Sequence, residues 1–120
     1  MKSIRLTEKY LKIIFSNQSL DGLEAIFEPD LQFRGPFFEG NSAKEYIDSL
    51  QQSPFGNISY HLLKSYGDSS SACVLFSFSA HGLTDVPMAV FTTIQNDKIA
   101  SIRLIFDTQV FLSKFDKSRE

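Results

Sequence analysis

Apolar residues recur three and four positions apart near the start of the chain and two apart in its second half. Between Thr7 and Asn17, Tyr10, Leu11, Ile14 and Phe15 fall on one helical face, with Glu8, Lys9 and Lys12 off it. That period predicts an amphipathic helix. Asn17, Gln18 and Ser19 break the pattern. Asp21 then stands where an N-cap would open a second short helix over Gly22–Phe27, with Glu24 three residues on, and Pro29 bars its extension. Leu31 and Phe33 alternate with Gln32 and Arg34, predicting a short strand stopped at Gly35-Pro36. A loop around Phe37, Phe38 and Gly40 follows. Ser42 and Glu45 form a second capping box, opening a helix that carries Ala43, Tyr46, Ile47 and Leu50; Ser53-Pro54 and Gly56-Asn57 mark its end.

From Ile58 onward the composition turns to that of strands. Four segments are predicted, over Ile58–Tyr66, Ala72–Ala80, Pro87–Gln95 and Lys98–Phe106. Gly67-Asp68-Ser69, His81-Gly82 through Asp85, and Asn96-Asp97 separate them, the last suiting a tight hairpin. Short connections between consecutive strands favour an antiparallel meander. Helices first and a sheet after make an α+β fold, in one domain over residues 1–120 without internal repeat, low-complexity tract or linker. Two of the strands are apolar in both phases: Cys73 and Leu75 against Val74, Phe76 and Phe78, then Ala89 and Phe91 against Met88 and Val90. A sheet buried on one face alternates more cleanly than this. The outer face is therefore expected to be covered by a second copy of the chain in a twofold interface.

Composition narrows the partners. A net charge of −2 gives no electrostatic reason to expect nucleic acid or an anionic membrane. Cys73 is the one cysteine, so an intramolecular disulfide and a cysteine-built metal site are both excluded, and His61 and His81 form no short-spaced ligand pair. The first residues interleave charges with apolar positions, without the apolar core of a signal peptide, and no run is long enough to cross a bilayer. A soluble cytoplasmic protein without metal is the expectation. Twelve phenylalanines and no tryptophan are the one unusual count. Phenylalanine supplies apolar area without a polar handle, so so many of them imply dense packing, an apolar cavity or a buried subunit contact.

The element order resembles the nuclear transport factor 2-like (cystatin-like α+β) superfamily, and within it the SnoaL-like proteins. Three stretches carry the resemblance: S-L-D-G-L-E-A-I-F followed by P-D-L-Q-F; F-R-G-P-F-F-E-G-N-S-A-K-E-Y-I; and K-I-A-S-I-R-L-I-F-D. It implies three N-terminal helices packed in a strongly curved, mostly antiparallel sheet, a cone-shaped half-barrel. Its open end is an apolar pocket for a small hydrophobic molecule, and its outer face pairs two subunits as a homodimer. The implied lining comes from Tyr10 and Ile14 on the first helix, Phe33, Phe37 and Phe38 around the first strand's end, and Tyr46 on the third helix. Ile102, Leu104 and Phe106 of the last strand complete it.

Members include ketosteroid isomerases, polyketide cyclases, limonene epoxide hydrolases, scytalone dehydratases and non-enzymatic binding modules. A ketosteroid isomerase resembling this chain would carry its general base at Gly35, its oxyanion tyrosine near Ile14 and its protonated acid near Ala89 or Val90, and all four positions are apolar or bare. The epoxide hydrolases align an aspartate with Asp107 but need an arginine and a second aspartate on a middle strand, and 72–80 holds neither. SnoaL-type cyclases use an aspartate acid/base with a histidine nearby, which leaves Asp107 assisted by His61 or His81 as a candidate.

Asp107 ends a run of large apolar residues, where a carboxylate is costly unless paired or hydrogen-bonded. It shares the strand phase of Arg103 and Ile105, opposite to Ala100, Ile102 and Leu104. Strict alternation turns it away from the implied pocket and makes it the polar stop of the strand. Tyr10 and Tyr46 bring hydroxyls that must find partners, and they are the candidate donors to a ligand. Phe37 and Phe38 belong either to the pocket mouth or to the core. Lys114–Glu120 reads as a solvated, frayed tail. Two functions stay open: a small-molecule-binding protein, or a cofactor-free isomerase, cyclase or dehydratase with Asp107 as acid/base. The shortage of polar groups in the lining favours binding. A purely structural dimerisation domain is a third use of such a fold.

Overall fold

A computed structural model describes residues 2–16, 19–52 and 58–112. The predicted breaks at Asn17-Gln18, Ser53-Pro54 and Gly56-Asn57, and the tail Lys114–Glu120, lie outside the described residues. The elements run α1 (Lys2–Ile14), α2 (Leu23–Ile26), β1 (Phe27–Arg34), β2 (Glu39–Gly40), α3 (Ala43–Gln51), β3 (Ser59–Gly67), β4 (Ser71–Ala80), β5 (Leu83–Gln95) and β6 (Lys98–Phe106). Helical residues follow from 108 to 112, where the described residues end. The strands form one open, mixed sheet in the order β2-β1-β6-β5-β4-β3. The pair β1–β6 is parallel and the other pairs are antiparallel. Register shifts inside β1–β6, β3–β4, β4–β5 and β5–β6 mark bulges, which bend strands and increase their twist. The sheet curls around α1, which packs against β3, β4, β5 and β6.

The predicted first helix starts too late. It begins at Lys2, and its first turns are anchored by small polar side chains that an apolar stripe does not reveal. Ser3 Oγ donates to the Asp68 carbonyl at 2.5 Å. Thr7 Oγ1 donates to the Ser3 carbonyl at 2.8 Å and lies 2.7 Å from Thr92 Oγ1, so Thr92 is left as the donor of that second bond. Gly67 makes room for this contact: a Cβ there would stand 2.9 Å from Ile4 Cγ1 and 3.0 Å from Ser3 Oγ. We expect Thr7→Val to cost about 1–3 kcal/mol, because it strands a buried hydroxyl on Thr92. The double variant with Thr92→Val should recover part of that loss in urea denaturation. A double variant as unstable as the two singles summed would remove the coupling.

The second helix is a single turn, Leu23–Ile26, and its N-cap is Gly22 in the left-handed region (φ 100°), not Asp21. Phe27 already belongs to β1, where it pairs with Ile99. The predicted strand at 31–34 is thus extended back through Pro29, which sits inside the irregular stretch between Phe27 and Gln32 and removes no regular ladder bond there. The loop after it hides the two-residue strand β2. Gly35 N–H donates to the Phe38 carbonyl at 2.9 Å. Arg34 donates to the Phe33 and Gly40 carbonyls at 2.8 and 2.9 Å and to Asn41 Oδ1 at 3.0 Å, tying this corner together.

The cap of α3 matches its sequence signature with a variation. Ser42 Oγ accepts the Glu45 N–H at 3.1 Å, while Glu45 Oε1 reaches one residue further back, to the Asn41 N–H at 2.7 Å. In the meander, β5 starts at Leu83 and not at Pro87, and Asp85 takes a positive φ at its irregular beginning. Asn96 and Asp97 both have positive φ (53° and 64°), as a tight two-residue hairpin requires. The concave face buries Val74, Phe76, Phe78, Met88, Val90 and Ile102. Alternate positions leave Leu75 37%, Phe91 44% and Ile105 55% exposed on the convex face.

Candidate functional site

A cleft of about 1630 Å³ opens between α1, α3 and the concave end of the sheet. Its deeper walls are mainly apolar, because the contributing helices and strands turn their buried phase inward, while Ser16, Ser19, Ser49, Gln51 and Gln52 add polar side chains to the lining. α1 supplies Tyr10 and Ile14, Phe15 follows its last residue, and β4 supplies Phe76 and Phe78. Phe33 lies one residue before the end of β1, Phe37 and Phe38 follow in the next loop, and Tyr46, Ile47 and Leu50 face them from α3. Met88, Leu104, Phe106 and Phe111 close the far end.

Of the positions expected in the lining, Tyr10, Ile14, Phe33, Phe37, Phe38, Tyr46, Leu104 and Phe106 meet here. Ile102 does not. It is 1% exposed, paired with Thr92 in the core, and is not part of the cleft surface. Phe15, Phe76, Phe78 and Met88 were missed, although strand alternation in β4 and β5 carried the signal for the last three. Phe111 had none, since it lies beyond the last predicted strand.

Two hydroxyls are buried in this wall. Tyr10 and Tyr46, 1% and 3% exposed, hydrogen-bond each other through their phenol oxygens. Phe33 stacks on the Tyr46 ring with centroids 4.1 Å apart, and Phe27 lies 5.7 Å from Tyr10 and 5.9 Å from Tyr46. Burial pushes the Tyr10 phenol far above its ordinary ionisation range, with the Tyr46 hydrogen bond pulling slightly the other way. Burial also raises Tyr46, and the neighbouring Tyr10 raises it further. Both therefore stay neutral. Two O–H groups that share one mutual bond retain one proton for a further acceptor.

The charged lining is confined to the rim and has one sign. Asp21, Glu24, Glu39, Glu45 and Asp48 border the opening, and no lysine, arginine or histidine does so among the described residues. Just behind the rim, Lys44 Nζ pairs with Asp48 at 3.0 Å. Among the described residues no three His, Cys, Asp or Glu side chains stand together as a metal site.

Asp107 is exposed and lies outside the lining. Its Oδ1 accepts the Gln109 N–H at 2.9 Å, capping the 108–112 turn. His61 is exposed on β3 opposite Ser77, in the phase of the convex face, and His81 is exposed in the β4–β5 turn. The fold therefore does not bring Asp107, His61 and the cleft together. Arg103 is exposed beside Phe91 on the convex face. Gly35 has no space for a side chain without movement, because a Cβ there would stand 2.9 Å from the Phe33 ring.

No protein-family model matches the chain and no curated protein matches it by sequence. Solved structures do match. A protein from Kribbella flavida superposes with a TM-score of 0.86 over 99% of this chain and 98% of its own, at 15% identity. An NTF2-like protein of unknown function from Cytophaga hutchinsonii does so with a TM-score of 0.76 over 89% and 91%, at 13% identity. The fold is NTF2-like. A SnoaL-like family protein from Agrobacterium tumefaciens, assigned as an isomerase, shares this NTF2-like fold with a TM-score of 0.73 over 88% of this chain and 97% of its own, at 10% identity. At such identities the likeness is one of fold, and an NTF2-like fold hosts many chemistries.

Proposed function

We propose that the protein binds a small, neutral, largely apolar molecule in the cleft, with the Tyr10–Tyr46 pair donating one hydrogen bond to it. The observation that carries this reading is a cleft walled by aromatic and aliphatic side chains, in which the deep polar group is a neutral hydroxyl pair. Such a lining, with few convergent polar groups, is typical of small-molecule sites. The carboxylates at the rim, without a facing cation among the described lining residues, disfavour an anionic ligand. The alternative, a cofactor-free isomerase, cyclase or dehydratase, needs Asp107 inside the cleft. Its exposure and its bond to Gln109 support binding over catalysis.

The reading includes a homodimer. Leu75, Ala89 and Ile105 form one cross-strand row on the convex face, and Cys73, Phe91 and Arg103 form the next. Several of these apolar side chains stand exposed, as an unpaired subunit surface would. We place the protein in the cytoplasm, in keeping with its single cysteine. Among the described residues no helix is long and apolar enough to cross a membrane.

The test is displacement of the neutral fluorescent probe N-phenyl-1-naphthylamine. Decanol should displace it, and decanoate should do so about tenfold less well at low salt, with the gap narrowing as salt screens the rim. A protein that takes up neither the probe nor decanol at millimolar concentration does not have this function. Equal affinity for decanol and decanoate would remove the preference for neutral ligands.

A further inference from the structure

We infer that Phe111 is a displaceable plug that sets the size limit of the cleft, and that Asp107 is the residue that positions it. The inference rests on the cleft being the ligand site. The chain leaves the sheet after Phe106, and Asp107 accepts the Gln109 N–H at 2.9 Å to start the helical turn 108–112. Of the five residues in that turn, Phe111 alone is fully buried, at 2% exposure, while Gln109, Val110 and Leu112 are exposed.

The Phe111 ring enters the far end of the cleft. Its centroid lies 4.7 Å from Phe106, 6.0 Å from Phe37 and 6.2 Å from Phe78. Phe37 is itself 55% exposed and meets Phe106 edge-on at 5.5 Å, so the ring on the other side of the plug is also held at the surface. The neighbouring walls differ. Phe76 and Phe78 belong to a strand paired on both sides and cannot withdraw without breaking its ladders. Phe111 follows the last strand and lies outside the sheet, so its withdrawal re-exposes the ring and loosens the cap without breaking a ladder. An apolar ligand longer than the cleft can take the ring's place and restore the buried area, shifting the equilibrium toward the withdrawn turn. Asp107 then influences ligand choice without touching the ligand, because the bond to Gln109 determines how firmly the turn is held.

The experiment measures displacement of N-phenyl-1-naphthylamine by primary alcohols of increasing chain length. In the natural protein, affinity should rise about fourfold per methylene until the chain fills the cleft, and then level off. In Phe111→Ala the rise should continue past that length, so the first alcohol beyond the limit gains about fourfold and the next gains more. Asp107→Ala removes no lining side chain and keeps the test decisive if Phe111→Ala fails to fold. It should raise affinity for the over-length alcohols by about fivefold, the equivalent of one cap, relative to the short ones. A purely structural role for Asp107 would weaken all chain lengths alike. Levelling at the natural length in both variants, or in Asp107→Ala where it alone folds, overturns the plug while leaving the cleft as the binding site. Absence of any alcohol binding in the natural protein overturns the cleft reading and the plug with it.

Discussion

Replacing Tyr46 is expected to cause one of the largest losses of stability in the chain. Tyr46→Ala removes a buried ring that stacks on Phe33 at 4.1 Å, a truncation worth about 3–5 kcal/mol. It also leaves the Tyr10 hydroxyl buried without its partner, which adds about 1–3 kcal/mol unless water enters. Tyr46→Phe should show the second cost alone. The melting temperature should fall by roughly 4 °C for each kcal/mol lost, a rate suited to a domain of this size.

The hydroxyl pair also predicts a response to alkali. Both phenols ionise above the ordinary tyrosine value in the folded protein, chiefly because burial disfavours the phenolate. A folded-state pKa above the unfolded one stabilises the protein fully below the unfolded value. That stabilisation drains away as pH rises from about 10 towards the folded-state values. Stability measured by urea denaturation should therefore fall steeply above about pH 10. The double variant Tyr10→Phe with Tyr46→Phe should fall less steeply, since it has removed the two groups whose ionisation drives unfolding. Identical slopes in the two proteins would mean that neither phenol is held neutral by the fold.

Ile105→Lys should convert a dimer into a monomer. Ile105 is 55% exposed on the convex face, so a lysine there costs the isolated subunit little. In a twofold interface the same cation is buried twice, close to Arg103 two residues back on the same strand face. An uncompensated buried charge costs about 3–5 kcal/mol. Two copies should weaken association by about four orders of magnitude or more. Light scattering at micromolar concentration should report a dimer for the natural chain and a monomer for the variant, with similar melting of the subunit. A natural chain that is monomeric at that concentration would leave the exposed Leu75, Phe91 and Ile105 without the proposed partner.

Much of the fold was legible because its signals are local. The Ser42–Glu45 box, the Asn96-Asp97 hairpin and the strict alternation of Val74, Phe76 and Phe78 each follow from the conformational preferences of a few consecutive residues. The meander follows from them, because short turns leave consecutive strands no choice but to pair. The phase of Asp107, shared with exposed Arg103 and Ile105, was legible for the same reason. The resemblance to SnoaL-like proteins supplied what local signals could not: the expectation that the helices fill a curved sheet and leave one end open.

Tertiary structure decided the rest, and in each case the deciding partner is far away in the chain. The first turns of α1 depend on Asp68 and Thr92, residues no local pattern links to Ser3 and Thr7. The early start of β1 at Phe27 depends on pairing with Ile99, which outweighs the helical preference of the preceding turn. That Ile102 belongs to the core while Leu104 and Phe106 reach the cleft depends on how far the bent sheet closes over α1, and one strand phase cannot distinguish them. The site itself joins α1, α3, the end of β1 and the far ends of β4 and β6. Periodicity tells a side chain which face of its element is buried; only the meeting of elements determines whether that face meets a packed neighbour or an open cleft.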